Sequence, residues 1–177
     1  NGGCSGDIFI DTRIDGINSL APDGTAIDIQ GGVDAGKGES LNSTSPAPCF
    51  ASVFMQAYSG VTLAGGVDTS GADDRGNDGG TDGRGGSAND LRIQVVDGPI
   101  VISGPLDISG GDGEYTGGDA AFTEIVGNTV EITADISLRG GNADPALTGS
   151  AGGSSNDIII LGNNGLGAVT NSGTVNI

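Results

Sequence analysis

The chain has 177 residues, of which 36 are glycine, and its 23 Asp and Glu against six Lys and Arg give a formal net charge of −17. So acidic a chain cannot neutralise phosphates, so we expect no nucleic acid as partner, and an anionic membrane surface is disfavoured for the same reason. We also expect no membrane insertion. Histidine is absent, which excludes a Ser-His-Asp triad and His-ligated metals, and no apolar run reaches the roughly 18 residues that a membrane span requires.

The apolar composition indicates strands rather than helices. Val and Ile together number 28 against nine Leu, and β-branched side chains fit the pleated surface of a sheet better than a helix. No segment repeats apolar residues at the helical spacing of three and four. We therefore predict an all-β protein.

A nine-residue motif introduces three of the predicted strands. It consists of Gly-Gly, two small residues, Asn or Gly, Asp and a triplet with apolar ends such as Leu91-Arg92-Ile93. An Asp directly before a strand can hydrogen-bond the backbone and set a corner. The motif occurs at residues 2–10, 85–93 and 152–160.

A second motif ends strands with a pair of glycines. Its order is apolar, polar, apolar, small or polar, Gly, Gly, and its period of two is typical of a strand with one buried face. This motif occurs at residues 27–34, 61–68, 106–112 and 136–142. Further strands are predicted at 52–55, 99–103 and 129–133, with Gly-, Asp- and Ser-rich loops at 40–48, 68–87, 110–119 and 142–156.

Recurrent corners between short strands predict a parallel β-solenoid with long Gly/Asp-rich loop insertions. In such a fold each coil buries its apolar residues against the coils before and after it. We expect residues 1–177 to form a single domain of this kind. The alternative is an antiparallel β-sandwich or jelly roll, which short strands and turn signals also fit.

Two runs, Thr25–Gly32 and Gly104–Gly111, resemble the coils of secreted bacterial surface proteins with parallel β-helix stalks. These are the filamentous-haemagglutinin and autotransporter-passenger type. The resemblance implies an extracellular, elongated scaffold or adhesin without catalysis. Long Asp-rich insertions and two cysteines set this chain apart from those families.

Aspartates in glycine-rich loops predict calcium sites, because calcium prefers several carboxylate and carbonyl oxygens from a flexible loop. The alternative is that these residues are solvated and form Asx turns. The densest candidate set is Asp68, Asp73, Asp74, Asn77, Asp78 and Asp82. A second set is Asp112, Glu114 and Asp119, and a third, weaker set is Asp7, Asp11 and Asp15.

Cys4 and Cys49 are the only cysteines. In a secreted chain they most simply form one disulfide, within the chain or between neighbouring copies, whereas in the cytosol they stay as free thiols. Asn42 begins the only N-x-[ST] sequon and is a candidate glycosylation site.

The two ends of the chain complete the second motif when they are read together. Val175-Asn176-Ile177 followed by Asn1-Gly2-Gly3 has the order apolar, polar, apolar, polar, Gly, Gly. In a chain that is one-fifth glycine this match can arise by chance. Two interpretations remain open, which are a head-to-tail filament of separate copies and one repeat of a longer tandem polypeptide.

These observations predict a structural subunit of an extracellular filament, sheath or surface stalk, whose partners are copies of itself. The alternative is a calcium-dependent adhesin or a carbohydrate-binding module. A polysaccharide-cleaving enzyme is third, because the chain has paired carboxylates but no Trp to stack on sugars. We therefore expect no enzymatic activity.

Overall fold

The computed structural model describes residues 7–12, 26–35, 52–73, 83–162 and 168–176. Within these ranges the chain forms fifteen short β-strands and no helix, so none of the described residues belongs to a helix that could cross a membrane. The strands are β1 Ile8–Asp11, β2 Ile27–Ile29, β3 Val33–Asp34, β4 Val53–Ala57, β5 Val61–Leu63, β6 Val67–Asp68, β7 Leu91–Val95, β8 Pro99–Ile102, β9 Leu106–Asp107, β10 Thr123–Gly127, β11 Thr129–Ile132, β12 Ile136–Ser137, β13 Ile158–Gly162, β14 Val169–Asn171 and β15 Val175–Asn176.

The strands form three parallel sheets of five strands each. Sheet A has the order β1-β4-β7-β10-β13, sheet B β2-β5-β8-β11-β14 and sheet C β3-β6-β9-β12-β15. Every circuit of the chain therefore adds one strand to each sheet, and we number the circuits coil 1 to coil 5. The predicted parallel β-solenoid is confirmed, and the antiparallel alternative is wrong because neighbouring strands come from successive coils and run in the same direction.

A single core lies between the three sheets. In the middle coils each strand alternates between buried and partly exposed residues, as β10 does over Thr123–Gly127. The inward positions of successive coils stack in columns, such as Ile10, Met55, Ile93, Ile125 and Ile160 in sheet A. Aliphatic side chains therefore contact the same type of side chain in the coil before and in the coil after, and this continuous contact forms the apolar core.

The Gly-Gly pairs of the second motif lie at two different corners. At residues 31–32 and 65–66 the pair separates the sheet B strand from the sheet C strand, whereas at 110–111 and 140–141 it follows the sheet C strand. The four occurrences are therefore not equivalent positions of one coil, and this explains why their spacing is irregular.

The corner after sheet C is built around a column of small residues. Gly86 donates its N–H to the carbonyl of Ala72, Gly111 to Gly86, Gly118 to Gly111, Gly141 to Gly118 and Gly153 to Gly141, with N···O distances of 2.8 to 2.9 Å. We call Ala72, Gly86, Gly111, Gly118, Gly141 and Gly153 the glycine column. A Cβ on Gly118 would overlap the Gly86 carbonyl, and one on Gly141 would overlap that of Gly111. Coils 3 and 4 each pass this corner twice, before sheet A and after sheet C, and only glycine lets the two passes approach so closely.

Truncation of a central core residue tests this packing. Ile125 is fully buried in β10, whereas its neighbour Val126 is partly exposed on the outer face. We expect Ile125→Ala to lower the free energy of unfolding by about 3 kcal/mol, because it removes a buried side chain and leaves a cavity. Val126→Ala is the control, with an expected loss below about 1 kcal/mol. Urea titration followed by circular dichroism measures both, and equal losses would contradict the inward stacking.

Candidate functional site

The acidic loops leave the solenoid through the glycine column. Residues 112–117 emerge between Gly111 and Gly118, and residues 142–152 emerge between Gly141 and Gly153, so that one hydrogen bond closes each loop at its base. The loops also stack on one another, since Gly117 donates to the Ala151 carbonyl at 3.0 Å. The predicted candidate residues Asp73, Asp112, Glu114 and Asp119 therefore lie on this one side of the solenoid.

Two of these residues, Asp73 and Asp112, form a column with Asn142. The Asp112 N–H donates to Oδ1 of Asp73 at 2.9 Å, and the Asn142 N–H donates to Oδ1 of Asp112 at 2.7 Å. The Asn142 side-chain amide donates to the same Asp112 oxygen at 3.1 Å. Two of the predicted calcium ligands, Asp73 and Asp112, thus come together across successive coils and accept backbone N–H groups.

The other described candidates lie in separate places. Asp119 accepts the Ser154 N–H at 2.8 Å and belongs to a different column. Asp68 lies on the outer face of sheet C, aligned with Asp34 and Asp107, and accepts the Ser70 N–H at 2.9 Å in an Asx turn. The structure therefore brings Asp73 of the first predicted set together with Asp112 of the second set, and it places Asp68 and Asp119 apart from them.

Among the described residues, no group of three or more acidic or thiol side chains is close enough to hold a metal ion. Of the third predicted set, Asp7 accepts the Ser52 N–H at 2.9 Å and Asp11 lies in β1. Calcium binding stays a prediction. The remaining predicted residues, Asp15, Asp74, Asn77, Asp78, Asp82, Cys4, Cys49 and Asn42, lie outside the described ranges.

Among the described residues, the carboxylates that accept a backbone N–H from another coil all act in the same direction. Six Asp side chains accept a backbone N–H from another coil, and in every case the carboxylate belongs to the earlier coil. The donors and acceptors are Ser52 to Asp7, Asp112 to Asp73, Phe122 to Asp90, Asn142 to Asp112, Ser154 to Asp119 and Thr174 to Asp135. Sequence reasoning assigned the Asp before a strand to its own corner and missed this bridging role.

The outer face of sheet A differs in chemistry from the acidic corners. The Arg92 guanidinium lies 5.6 Å from the Phe54 ring centroid and 5.4 Å from that of Phe122, while the Phe9 and Phe54 centroids are 6.5 Å apart. Beside them Gln56 donates to Gln94 at 3.0 Å. This aromatic and amide ladder was not predicted, although a period of two from Phe54 would have placed Phe54 and Gln56 on one face.

Coil 5 exposes residues at positions that the middle coils bury. Val130 in coil 4 is 1% exposed, but Val169, its partner in coil 5, is 43% exposed. Likewise Ile136 is fully buried and its coil 5 partner Val175 is 39% exposed. Of the predicted junction, Val175 and Asn176 form β15, while Asn1, Gly2, Gly3 and Ile177 lie outside the described ranges.

Comparison of the chain with protein-family models, with curated proteins and with solved structures gave no match.

Removal of one bridging carboxylate tests what the acidic column does. Asp112→Ala deletes the acceptor of two Asn142 groups, so we expect the free energy of unfolding to fall by about 1 kcal/mol. Asp112→Asn keeps an acceptor oxygen and removes a charge next to Asp73, so its stability should match or exceed that of the unchanged chain. Urea titration measures both variants, in EDTA and in calcium.

Equal destabilisation by the two variants would contradict the hydrogen-bond role of this carboxylate. A loss in Asp112→Asn that appears only with calcium present would instead show that the negative charge holds a cation.

Proposed function

We propose that the chain is a structural subunit that assembles head-to-tail, coil 5 of one copy stacking on coil 1 of the next, into an extracellular filament, sheath or surface stalk. The observation that carries this proposal is the exposure of core positions in coil 5, with Val169 at 43% and Val175 at 39%. A following coil would cover them as coil 5 covers Val130 and Ile136. Burial of such apolar area is the main driving force of association.

The backbone of coil 1 and coil 5 also favours a second copy of the chain as the partner. Inward residues direct their N–H groups at the following coil, as Ile8 does to Ser52 and Thr123 does to Asp157. By this alternation the N–H groups of Ile158 and Ile160 face forward from coil 5, and that of Phe9 faces backward from coil 1. Among the described strands, β13 pairs with β10 alone and β1 with β4 alone. Unpaired strand edges of this kind recruit further strands.

Outward apolar side chains also concentrate at the ends of sheet A. Phe9 in coil 1 is 63% exposed, and Ile159 and Leu161 in coil 5 are 38% and 39% exposed. If the register of sheet A continues, Ile159 lies beside Phe9 of the next copy, as Phe54 lies beside Phe9 within one copy. Both ends therefore offer an apolar side chain at the same position of the sheet.

One substitution can block the strand edge of coil 1 and leave intact the hydrogen bonds that hold one copy together. Phe9→Pro removes a backbone donor that faces away from coil 2, and proline is tolerated in an edge strand when its missing N–H faces outward. We expect the monomer to keep its melting temperature within a few degrees and the critical concentration for assembly to rise at least about tenfold. Circular dichroism and sedimentation velocity measure the two quantities, and negative-stain microscopy shows the filaments.

Phe9→Val is the matched control, because it loses the ring but keeps the N–H. It should assemble at nearly the concentration of the unchanged chain. A chain that stays monomeric at every accessible concentration would overturn the proposal, as would equal assembly of Phe9→Pro and Phe9→Val.

Carbohydrate recognition is the second candidate function, and the outer face of sheet A is the observation that favours it. Phenylalanine rings present apolar faces to the CH groups of a sugar, while amides such as Gln56 and Gln94 can bond hydroxyls. The Asp-rich loops are the place that the sequence predicts for carbohydrate binding, and we propose the outer face of sheet A as a second place, suited to a neutral polysaccharide. The absence of catalysis stays a prediction.

Substitution of the central ring tests this second function. Phe54 contacts both Phe9 and Arg92, so Phe54→Ala should abolish any glycan binding, whereas Thr62→Ala on the outer face of sheet B should leave it unchanged. Glycan arrays followed by calorimetry on the best ligand make the measurement. No binding by the unchanged chain, or equal binding by both variants, would remove this candidate.

A further inference from the structure

The one-way carboxylate bonds point to a directional contact between copies, and we infer that Asp157 provides it. In this inference the Asp157 carboxylate of coil 5 accepts the backbone N–H of Asp7 in coil 1 of the next copy. It rests on the proposed head-to-tail assembly and adds the residue that sets its polarity and register.

The direction follows from the bonds inside one copy. Six described carboxylates accept a backbone N–H from another coil, and in all six bonds the donor belongs to the coil that follows. The Glu124 carboxylate, which accepts from the preceding coil, does so from the side-chain amide of Gln94 and not from a backbone N–H. Just before β4 and β10 in sheet A, the N–H groups of Ser52 and Phe122 face the preceding coil, where a carboxylate supplies the acceptor. A stack built this way ends with backbone donors at its first coil and carboxylate acceptors at its last.

Asp157 occupies the position of two carboxylates that already make this bond. The register of sheet A aligns Ile8, Val53, Leu91, Thr123 and Ile158, so the residues just before them are Asp7, Ser52, Asp90, Phe122 and Asp157. Asp7 accepts the Ser52 N–H at 2.9 Å and Asp90 accepts the Phe122 N–H at 3.3 Å. Asp157 is the third carboxylate of this column and is exposed.

The next residue in the column would be another aspartate, Asp7 of the second copy. The structure already contains two carboxylates in succession, since Asp73 accepts the N–H of Asp112 while Asp112 accepts that of Asn142. Each carboxylate there reaches forward to a donor. Asp7 does the same toward Ser52, so its own N–H stays available to Asp157.

Only one mutual orientation of two copies satisfies this bond. Two first coils brought together would face donor against donor, and two last coils would face carboxylate against carboxylate. Asp157 therefore selects head-to-tail stacking over either symmetric dimer.

Three single variants test the assignment. Asp157→Ala removes the acceptor, Asp157→Asn keeps an acceptor oxygen without the charge, and Glu131→Ala makes the same charge change on the exposed outer face of sheet B. We expect the critical concentration of Asp157→Ala to be about tenfold higher than that of Glu131→Ala. The critical concentration of Asp157→Asn should lie within about threefold of that of Glu131→Ala. Melting temperatures of the monomers should be equal within about two degrees. Sedimentation velocity at matched ionic strength and thermal circular dichroism provide the two readouts.

The outcomes separate this inference from the proposed function. If the unchanged chain does not elongate, the head-to-tail proposal and this inference both fall. If it elongates and Asp157→Ala assembles at the same concentration as Glu131→Ala, the role of Asp157 is wrong while head-to-tail stacking stands. A loss in Asp157→Asn as large as that in Asp157→Ala would also overturn it, because the amide oxygen should still accept the N–H.

Discussion

Successive coils of this solenoid must lie about 4.8 Å apart along the whole circuit, because the backbone of each coil hydrogen-bonds to the next. Strands meet this spacing without difficulty. The corner after sheet C is harder, since two passes of coils 3 and 4 meet there and the positions of Gly111, Gly118, Gly141 and Gly153 leave no space for a Cβ. The glycines of this corner are therefore a consequence of the spacing.

The same spacing explains the aspartates. The N–H of Phe122, just before a strand of sheet A, faces the preceding coil, and the short carboxylate of Asp90 in that coil reaches it. Glutamate is longer by one methylene, which accords with 19 Asp against four Glu in the chain. Stacking places like charges close together, as with Asp34, Asp68 and Asp107 on sheet C. Those negative charges repel one another, so the apolar core has to offset the repulsion as well as the loss of chain entropy.

Much of the fold could be predicted from the sequence because its signals are local. The period of two at Val61–Leu63 and Thr129–Ile132 identifies strands, and Asp90 and Asp157 mark the start of strands in sheet A as expected. The sequence does not show in the same way which residues occupy equivalent positions in successive coils. Gly65-Gly66 and Gly110-Gly111 look alike in sequence but occupy different corners, and only the register between strands tells them apart. The bonds from Asp73 to Asp112 and from Asp112 to Asn142 depend on that register too, and the resemblance to secreted β-helix stalks stays a prediction.

The closed bases of the loops have a consequence for how such a chain can change over evolution. Residues 112–117 and 142–152 differ in length, yet both begin and end at a hydrogen-bonded pair of glycines, Gly111 with Gly118 and Gly141 with Gly153. Because each base is fixed, a loop can gain or lose residues without displacing the strands on either side. The glycine column therefore separates the part of the chain that sets the repeat from the part that is free to diversify. Foreign peptides grafted at these bases would be displayed in a row along one edge of the solenoid.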